Sequence, residues 1–159
     1  MEVSYGSMEY ALNIIRGDCP LDAIFEVNPL FSGIPGPLRA LWKRLVFPAK
    51  RRRFLPFSPC YNVSGARPLQ DALSVPVIPV GGIHGLADMR LCLEELGFPA
   101  VALCRPFICE PDLLARLRQG SWRGSSCTAC NLCTVYCDSN RPLRCYLRHA
   151  ATGSDPVGE

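Results

Sequence analysis

Two short apolar runs, at residues 75–83 and 100–107, constrain the fold of this chain more than any other feature. The first is rich in β-branched residues and ends in the glycine pair Gly81-Gly82, and the second contains Arg105 near its end. A segment with helical periodicity lies between them. This pattern predicts two consecutive parallel strands joined by a crossover helix.

The ends of these two runs carry residues suited to binding an anion. Gly81 and Gly82 have no Cβ to block close approach, so their backbone N–H groups can face a phosphate. Arg105, at the end of the neighbouring strand, would add a forked positive charge. The sequence therefore predicts an anion site built from Gly81, Gly82 and Arg105.

The same residues resemble a known family. The stretches VPVIPVGGI, AVALCRPFI, EPDLLARLRQG and CTACNLC are similar to the C-terminal part of the FMN-dependent NADH:flavin oxidoreductases, which include Old Yellow Enzyme and 2,4-dienoyl-CoA reductase. The resemblance covers roughly residues 1–145 and is loose over about residues 21–74. It implies that Gly81, Gly82, Cys104 and Arg105 bind the FMN phosphate. The family generally has glycine where this chain has Cys104.

The resemblance also implies a fold class. A complete TIM (β/α)₈ barrel needs about 250 residues, and this chain has 159. We therefore expect an α/β fold in which residues 1–120 form a partial TIM barrel of about the last three strands. A cysteine-rich C-terminal loop at residues 121–147 and a disordered tail at residues 148–159 would follow. Residues 1–6 resemble the end of the family's sixth strand, so the chain is expected to begin within a structural element.

Periodicity and turn residues indicate the remaining elements. We expect a proline- and glycine-rich loop at residues 18–37 with a short strand at residues 23–27, and a helix at residues 38–47 that Pro48 ends. The other helices predicted in this way cover residues 7–16, 86–96 and 110–119. Residues 61–63 and 65–73 resemble the family's last helix before its seventh strand, so the resemblance implies a helix there.

Ten cysteines in one chain bear on compartment and chemistry. The sequence shows no secretory signal and no apolar stretch approaching the about 18 residues of a membrane span, which favours a cytoplasmic protein with reduced thiols. In that setting clustered cysteines indicate metal binding before disulfides. The isolated cysteines are interpreted as small buried apolar residues or ordinary thiols: Cys19, Cys60, Cys92 and Cys109.

The cluster begins with three cysteines spaced by two residues, Cys127, Cys130 and Cys133. Taking Cys137 as the fourth ligand gives a ferredoxin-like run, although Asp138 stands where that run has proline. Taking Cys145 gives a longer spacing, similar to the dienoyl-CoA reductase branch with one residue fewer between the second and third ligands. We favour Cys145 because the resemblance continues around it. The metal could be a 4Fe-4S cluster or zinc, and a cysteine set without metal stays an alternative.

The resemblance implies an FMN-dependent oxidoreductase that takes electrons from NAD(P)H and reduces an activated alkene. The family's catalytic side chains come from earlier strands and have no counterpart here, so no catalytic residue is assigned. A metal- or cluster-binding interaction module and an inactive truncated product are the alternatives.

Two features of the sequence bear on which partners the chain binds: the unpaired strand edges of the expected open barrel, and the basic run at residues 50–53. Exposed edges of an open barrel predict self-association or pairing with a complementary N-terminal half-barrel. The basic run at residues 50–53 is interpreted as a solvated loop, which argues against a nucleic-acid or membrane partner.

Overall fold

A computed structural model describes residues 1–4, 12–137 and 139–148. Strand β1 (Glu2–Val3) pairs in parallel with strand β2 (Ile78–Pro79), with Glu2 opposite Ile78 and Val3 opposite Pro79. Val80 forms a further parallel bridge with Ala102. These pairings agree with the predicted order of parallel neighbours. Closure into a TIM barrel, the division near residue 120 and self-association stay predictions.

Helices dominate the sequence between the two strands. In chain order they are α1 (Leu12–Ile15), α2 (Leu21–Val27), α3 (Pro29–Ser32), α4 (Gly36–Leu45), α5 (Phe47–Arg51) and α6 (Val63–Ala72). Helix α1 is the end of the helix predicted at residues 7–16, whose first part lies outside the described residues.

The strand predicted at residues 23–27 is wrong, because this segment forms helix α2. Phe25 is 3% exposed and packs edge-on against the rings of Phe31 and Trp42, each with ring centres 5.6 Å apart. The prolines that suggested an extended loop instead lie at helix starts: Pro20 is the residue before α2, and Pro29 opens α3. A fixed φ and a missing N–H are tolerated at that position. Pro48 likewise lies in the first turn of α5, directly after α4.

The chain after β2 forms a second group of helices. Helix α7 (Leu86–Arg90) continues into a π-helical turn at Leu91–Glu95, and α8 (Arg105–Cys109), α9 (Leu113–Arg118) and α10 (Leu132–Tyr136) follow. The strand predicted over residues 100–107 is therefore wrong beyond Ala102, because Arg105 begins a helix. Pro106 explains the change, since proline cannot donate to a strand ladder and suits a first helical turn.

One apolar core joins both groups of elements. Its most deeply buried members include Val77 beside β2, Cys92 in the π turn, Leu113 of α9 and Trp122 at the start of the cysteine-rich segment. Gly124 forms an antiparallel bridge with Gly85, which ties the cysteine-rich segment to the loop after β2. Among the helices of the described ranges, none is long and apolar enough to cross a bilayer. Residues 149–159 of the predicted tail lie outside the described residues.

Candidate functional site

The glycine pair after β2 adopts backbone conformations that few other residues accept. Gly81 has φ +120° and Gly82 has φ +79°. A Cβ on Gly81 would lie 2.5 Å from Asn62 Nδ2, and one on Gly82 would lie 2.6 Å from the Cys60 backbone nitrogen. The neighbouring segment is held in place because the Cys60 N–H donates to the Gly82 carbonyl at 3.0 Å. Both glycines are therefore required by the local packing as well as by their backbone angles.

Replacing Gly81 by alanine is expected to lower the free energy of unfolding by about 1–3 kcal/mol, because the substituted residue would be strained at positive φ. Gly33 is the matched control, since its φ is −77° and no atom lies within 4 Å of a Cβ placed there. Urea unfolding of Gly81→Ala, Gly33→Ala and the unsubstituted protein measures the difference. Equal stability of the two variants would contradict the strain argument.

All four residues predicted to bind the FMN phosphate line one cavity of about 320 Å³, here called the glycine cavity. These residues are Gly81, Gly82, Cys104 and Arg105, and other lining residues include Ser4, Tyr61, His84 and Ile108. The ends of consecutive parallel segments meet at one edge, which is why residues distant in sequence converge here. Cys104 has a φ of −116°, so its position does not need glycine for a positive backbone angle.

Arg105 is the buried cation of this site, with 8% of its surface exposed. Its Nη1 donates to the Arg16 carbonyl at 2.9 Å and to Asn131 Oδ1 at 2.6 Å. Its guanidinium carbon lies 5.9 Å from the centre of the Phe57 ring. These contacts hold the guanidinium at the cavity wall.

His84 and Tyr61, two other polar residues of the glycine cavity, are uncharged near neutral pH. Burial and the Arg105 charge lower the pKa of His84, against an opposing effect of Asp88, so the imidazole is neutral. Burial raises the pKa of Tyr61 despite the neighbouring arginines, so the phenol keeps its proton. Arg105 therefore dominates the electrostatics of the cavity wall, which favours an anionic ligand.

A second, smaller cavity of about 60 Å³ lies beside the first, and we call it the cysteine cavity. It is lined by five cysteines, Cys109, Cys127, Cys130, Cys133 and Cys145. The cavities share Arg105, Ile108 and Cys133 as wall residues. The sequence predicts no ligand role for Cys109, which is expected to be a small buried apolar residue or an ordinary thiol.

The two candidates for the fourth ligand lie in different places. Cys145 faces the cysteine cavity together with Cys127, Cys130 and Cys133. Cys137 is exposed, lines the glycine cavity, and donates from its Sγ to the Thr134 carbonyl at 2.9 Å. This arrangement favours the set that contains Cys145.

The cysteine cavity offers thiophilic metals a suitable type of donor, because five thiols line it. Burial raises the pKa of Cys127 and of Cys133, and the neighbouring thiols of the set raise both further. Neighbouring thiols oppose one another's ionisation, and a bound cation would stabilise their thiolate forms. Thiolates are the ligands of zinc and of iron–sulfur clusters. Within the described ranges no three His, Cys, Asp or Glu side chains are grouped closely enough to hold a metal ion as they stand. Loading would therefore have to draw the sulfurs together.

Asn131 links the cysteine cavity to Arg105 of the glycine cavity. In the sequence it is only one residue of the motif CTACNLC, and no role was predicted for it. It is 1% exposed and adopts the left-handed conformation with φ +62°, which asparagine tolerates better than most residues. Its Nδ2 donates to the Asp18 carbonyl at 2.9 Å, while its Oδ1 accepts from Arg105. The loop between Cys130 and Cys133 is thereby bonded directly to the cation of the glycine cavity.

Glu110 is a buried carboxylate that sequence reasoning did not single out. It is 2% exposed and accepts hydrogen bonds from Trp122 Nε1, Arg116 Nη1, the Ser125 hydroxyl, and both the backbone N–H and hydroxyl of Ser126. Burial acts to raise the pKa of Glu110, but the hydrogen bonds outweigh it and the pKa lies below its usual range. The carboxylate therefore anchors the start of the cysteine motif to the chain between α8 and α9.

We expect Glu110→Gln to lower the free energy of unfolding by about 1–3 kcal/mol at pH 7, because the charge-assisted hydrogen bonds are weakened. Since the folded pKa is depressed, this stabilisation is present above the pKa of the unfolded carboxyl and is lost as the pH falls through the folded pKa. Urea unfolding over a pH series should thus show a shallower acid dependence in Glu110→Gln than in the unsubstituted protein. The exposed Glu94→Gln is the control, and equal acid dependence in all three proteins would refute the assignment.

Comparisons with known proteins give a distant relationship. No protein-family model and no solved structure matches the chain. The 4,4'-dithiodibutanoate disulfide reductase of Rhodococcus erythropolis is 28% identical over 155 residues, which are 94% of this chain and 35% of that protein. The chain thus spans about a third of the length of this relative. It is distantly related to an oxidoreductase.

Proposed function

We propose that this chain provides the phosphate site and a metal–thiolate site of an FMN-dependent oxidoreductase of the NADH:flavin oxidoreductase type. One observation carries the proposal: Arg105 lies in the wall shared by the glycine cavity and the cysteine cavity. One cation therefore faces both the predicted phosphate and the predicted thiolate cluster. The distant relationship to a disulfide reductase supports the general class.

The residues of the glycine cavity fit a flavin phosphate. Its volume of about 320 Å³ falls within the range of about 300–1,000 Å³ that is usual for small-molecule sites. The backbone N–H groups of Gly81 and Gly82 would donate to phosphate oxygens, and Arg105 would balance their charge. Bound FMN would supply electron transfer from NAD(P)H to the acceptor.

Two acceptor classes are consistent with this proposal. The family resemblance favours an activated alkene, whereas the relative's name states the reduction of a disulfide. Both reactions consume two electrons and two protons. The proposed role of this chain is the same for either acceptor, since it concerns the phosphate end of the flavin and the cysteine set.

A comparison of FMN with riboflavin tests the proposed function, because the two ligands differ only in the phosphate. The full chain is titrated with each ligand while flavin fluorescence is followed. We expect FMN to bind and riboflavin to bind at least about tenfold more weakly, because charge-assisted hydrogen bonds each contribute about 1.5–3 kcal/mol. Failure to bind FMN, or equal affinity for both ligands, would exclude a flavin phosphate site in this chain.

A metal- or cluster-binding module without flavin chemistry is the second candidate. It is supported by the Glu110 hydrogen bonds, because they hold the cysteine-rich segment through residues that do not line the glycine cavity. Retention of metal by a protein that fails to bind FMN would favour this candidate. Binding of both would favour the first.

A further inference from the structure

Two exposed thiols line the glycine cavity. All ten cysteines lie within the described residues, and of these ten only Cys104 and Cys137 are exposed. Both line the glycine cavity. The Cys137 Sγ donates to the Thr134 carbonyl at 2.9 Å, whereas no hydrogen bond of the Cys104 Sγ is found among the described residues. Since exposure governs the reactivity of a thiol, Cys104 is the thiol of this cavity that is most open to a reagent.

The next residue, Arg105, is a buried cation without an acidic partner in the described ranges. It is 8% exposed, and it belongs to none of the ion pairs among the described residues. Through Nη1 it donates to two uncharged groups, the Arg16 carbonyl and Asn131 Oδ1. A guanidinium has five N–H donors in a fork that matches a carboxylate. Because buried charges are usually paired, this arrangement indicates an anionic ligand in the cavity.

An exposed thiol beside a buried guanidinium suits one class of reagent, a disulfide that carries a carboxylate. The guanidinium of Arg105 matches the carboxylate, and the thiol of Cys104 is the group that exchanges with a disulfide. Apolar side chains that include Ile14, Val80 and Ile108 line other parts of the cavity. They suit the carbon chain that joins the carboxylate to the sulfur. The cavity therefore offers a partner to each part of such a molecule.

We propose that Cys104 is a site of thiol–disulfide exchange with a carboxylate-bearing disulfide, which Arg105 orients. The Cys104 thiol loses its proton to solvent, and the thiolate attacks one sulfur of the disulfide. The S–S bond of the reagent breaks, a mixed disulfide forms at Cys104, and the other half leaves as a thiolate. The Cys104 sulfur is oxidised and the departing sulfur is reduced. The attached carboxylate then excludes FMN from the cavity, and this consequence alone rests on the proposed function.

Two aromatic disulfides that differ in charge test this site. Dithiobis(nitrobenzoate) carries a carboxylate on each ring, whereas dithiodipyridine carries none. Each is added to the flavin-free full chain, and peptide mapping by mass spectrometry follows the modification of each cysteine. We expect the ratio of the two rates at Cys104, nitrobenzoate over pyridine, to fall about tenfold in Arg105→Gln, because a charge-assisted contact is lost. The intrinsic reactivity of each reagent cancels when this ratio is compared between proteins.

Controls separate a local effect from a change of net charge or of fold. Arg118→Gln removes the same charge from an exposed position that lines neither cavity, so it should keep the ratio of the unsubstituted chain. Cys92 is fully buried in the apolar core, so its modification would reveal unfolding of a variant. If Arg105→Gln unfolds, inorganic phosphate tests the unsubstituted chain. Phosphate should slow the reaction of Cys104 with dithiobis(nitrobenzoate) more than sodium chloride does at equal ionic strength.

The outcomes separate this inference from the proposed function. An unmodified Cys104, faster modification of Cys137, an unchanged ratio in folded Arg105→Gln, or no specific effect of phosphate would each overturn the exchange site. If the chain binds FMN equally well before and after modification of Cys104, the exclusion of FMN is wrong and the proposed function stands. If the unmodified chain binds no FMN, the proposed function falls, and the ratio of rates still decides whether Cys104 is an exchange site.

Discussion

Replacement of Arg105 by alanine is expected to weaken FMN binding by about 10- to 100-fold, because a charge-assisted hydrogen bond contributes about 1.5–3 kcal/mol. Riboflavin binding should change little, since riboflavin has no phosphate for the guanidinium to bind. Titrations of both ligands against the variant and the unsubstituted protein measure the difference. An equal loss for the two ligands would show that Arg105 does not act on the phosphate.

The same substitution should also destabilise the fold. Arg105→Ala leaves the Arg16 carbonyl and Asn131 Oδ1 without the guanidinium that they accept from. An unsatisfied buried polar group costs about 1–3 kcal/mol, so the free energy of unfolding should fall by at least that amount. Arg105→Lys keeps the charge but not the forked geometry, and it should lie between the alanine variant and the unsubstituted protein in FMN affinity.

Arg118→Ala is the matched control for both measurements. Arg118 is exposed in the last turn of α9 and lines neither the glycine cavity nor the cysteine cavity. We expect its removal to leave FMN affinity unchanged and to change stability little. A loss of FMN affinity in Arg118→Ala as large as in Arg105→Ala would indicate a general effect of net charge.

Replacement of Cys127 by serine is expected to abolish metal retention. A serine hydroxyl is a hard donor that stays protonated near neutral pH, whereas zinc and iron–sulfur clusters require soft thiolates. Cys127 opens the motif and lines the cysteine cavity. Metal and sulfide analysis after anaerobic purification, together with the absorption spectrum, measures the loss.

Cys137→Ser is the matched control, and it also decides between the two proposed ligand sets. Cys137 is exposed and lines the glycine cavity, so its replacement should leave the metal content unchanged. Loss of metal in Cys137→Ser would instead support the ferredoxin-like run, with Cys137 as the fourth ligand. Retention of metal in Cys127→Ser would refute the assignment of the motif.

The sequence was sufficient to predict the glycine pair, Arg105 and the cysteine motif, because each of them belongs to a pattern of neighbouring residues. Gly81 and Gly82 follow one predicted strand and Arg105 follows the next, and the structure brings them to one cavity. Neighbouring parallel strands end at the same edge of a sheet. The two apolar runs were therefore sufficient to predict that the glycine pair and Arg105 lie close together. Cys127, Cys130 and Cys133 line one cavity for a similar reason, because two-residue spacings keep these residues in one short loop.

Local patterns misled in two regions that contain or adjoin a proline. The sequence predicts a strand at residues 23–27, and it predicts that a second strand continues through Pro106 to residue 107. In both regions proline lies at a helix start, where its ring and missing N–H cost little. The apolar runs were too short to distinguish a buried helix from a strand.

Tertiary structure alone decided which distant residues complete the two cavities. Nothing near Cys109 in the sequence signals that it lines the cysteine cavity. Glu110 is one acidic residue among many until Trp122 and Ser126 fold onto it. The choice between Cys137 and Cys145 likewise depends on how the chain after α10 returns to α8. Spacing determines which residues can meet within a turn or a loop, but contacts between remote segments are set by the packing of helices around the shared core.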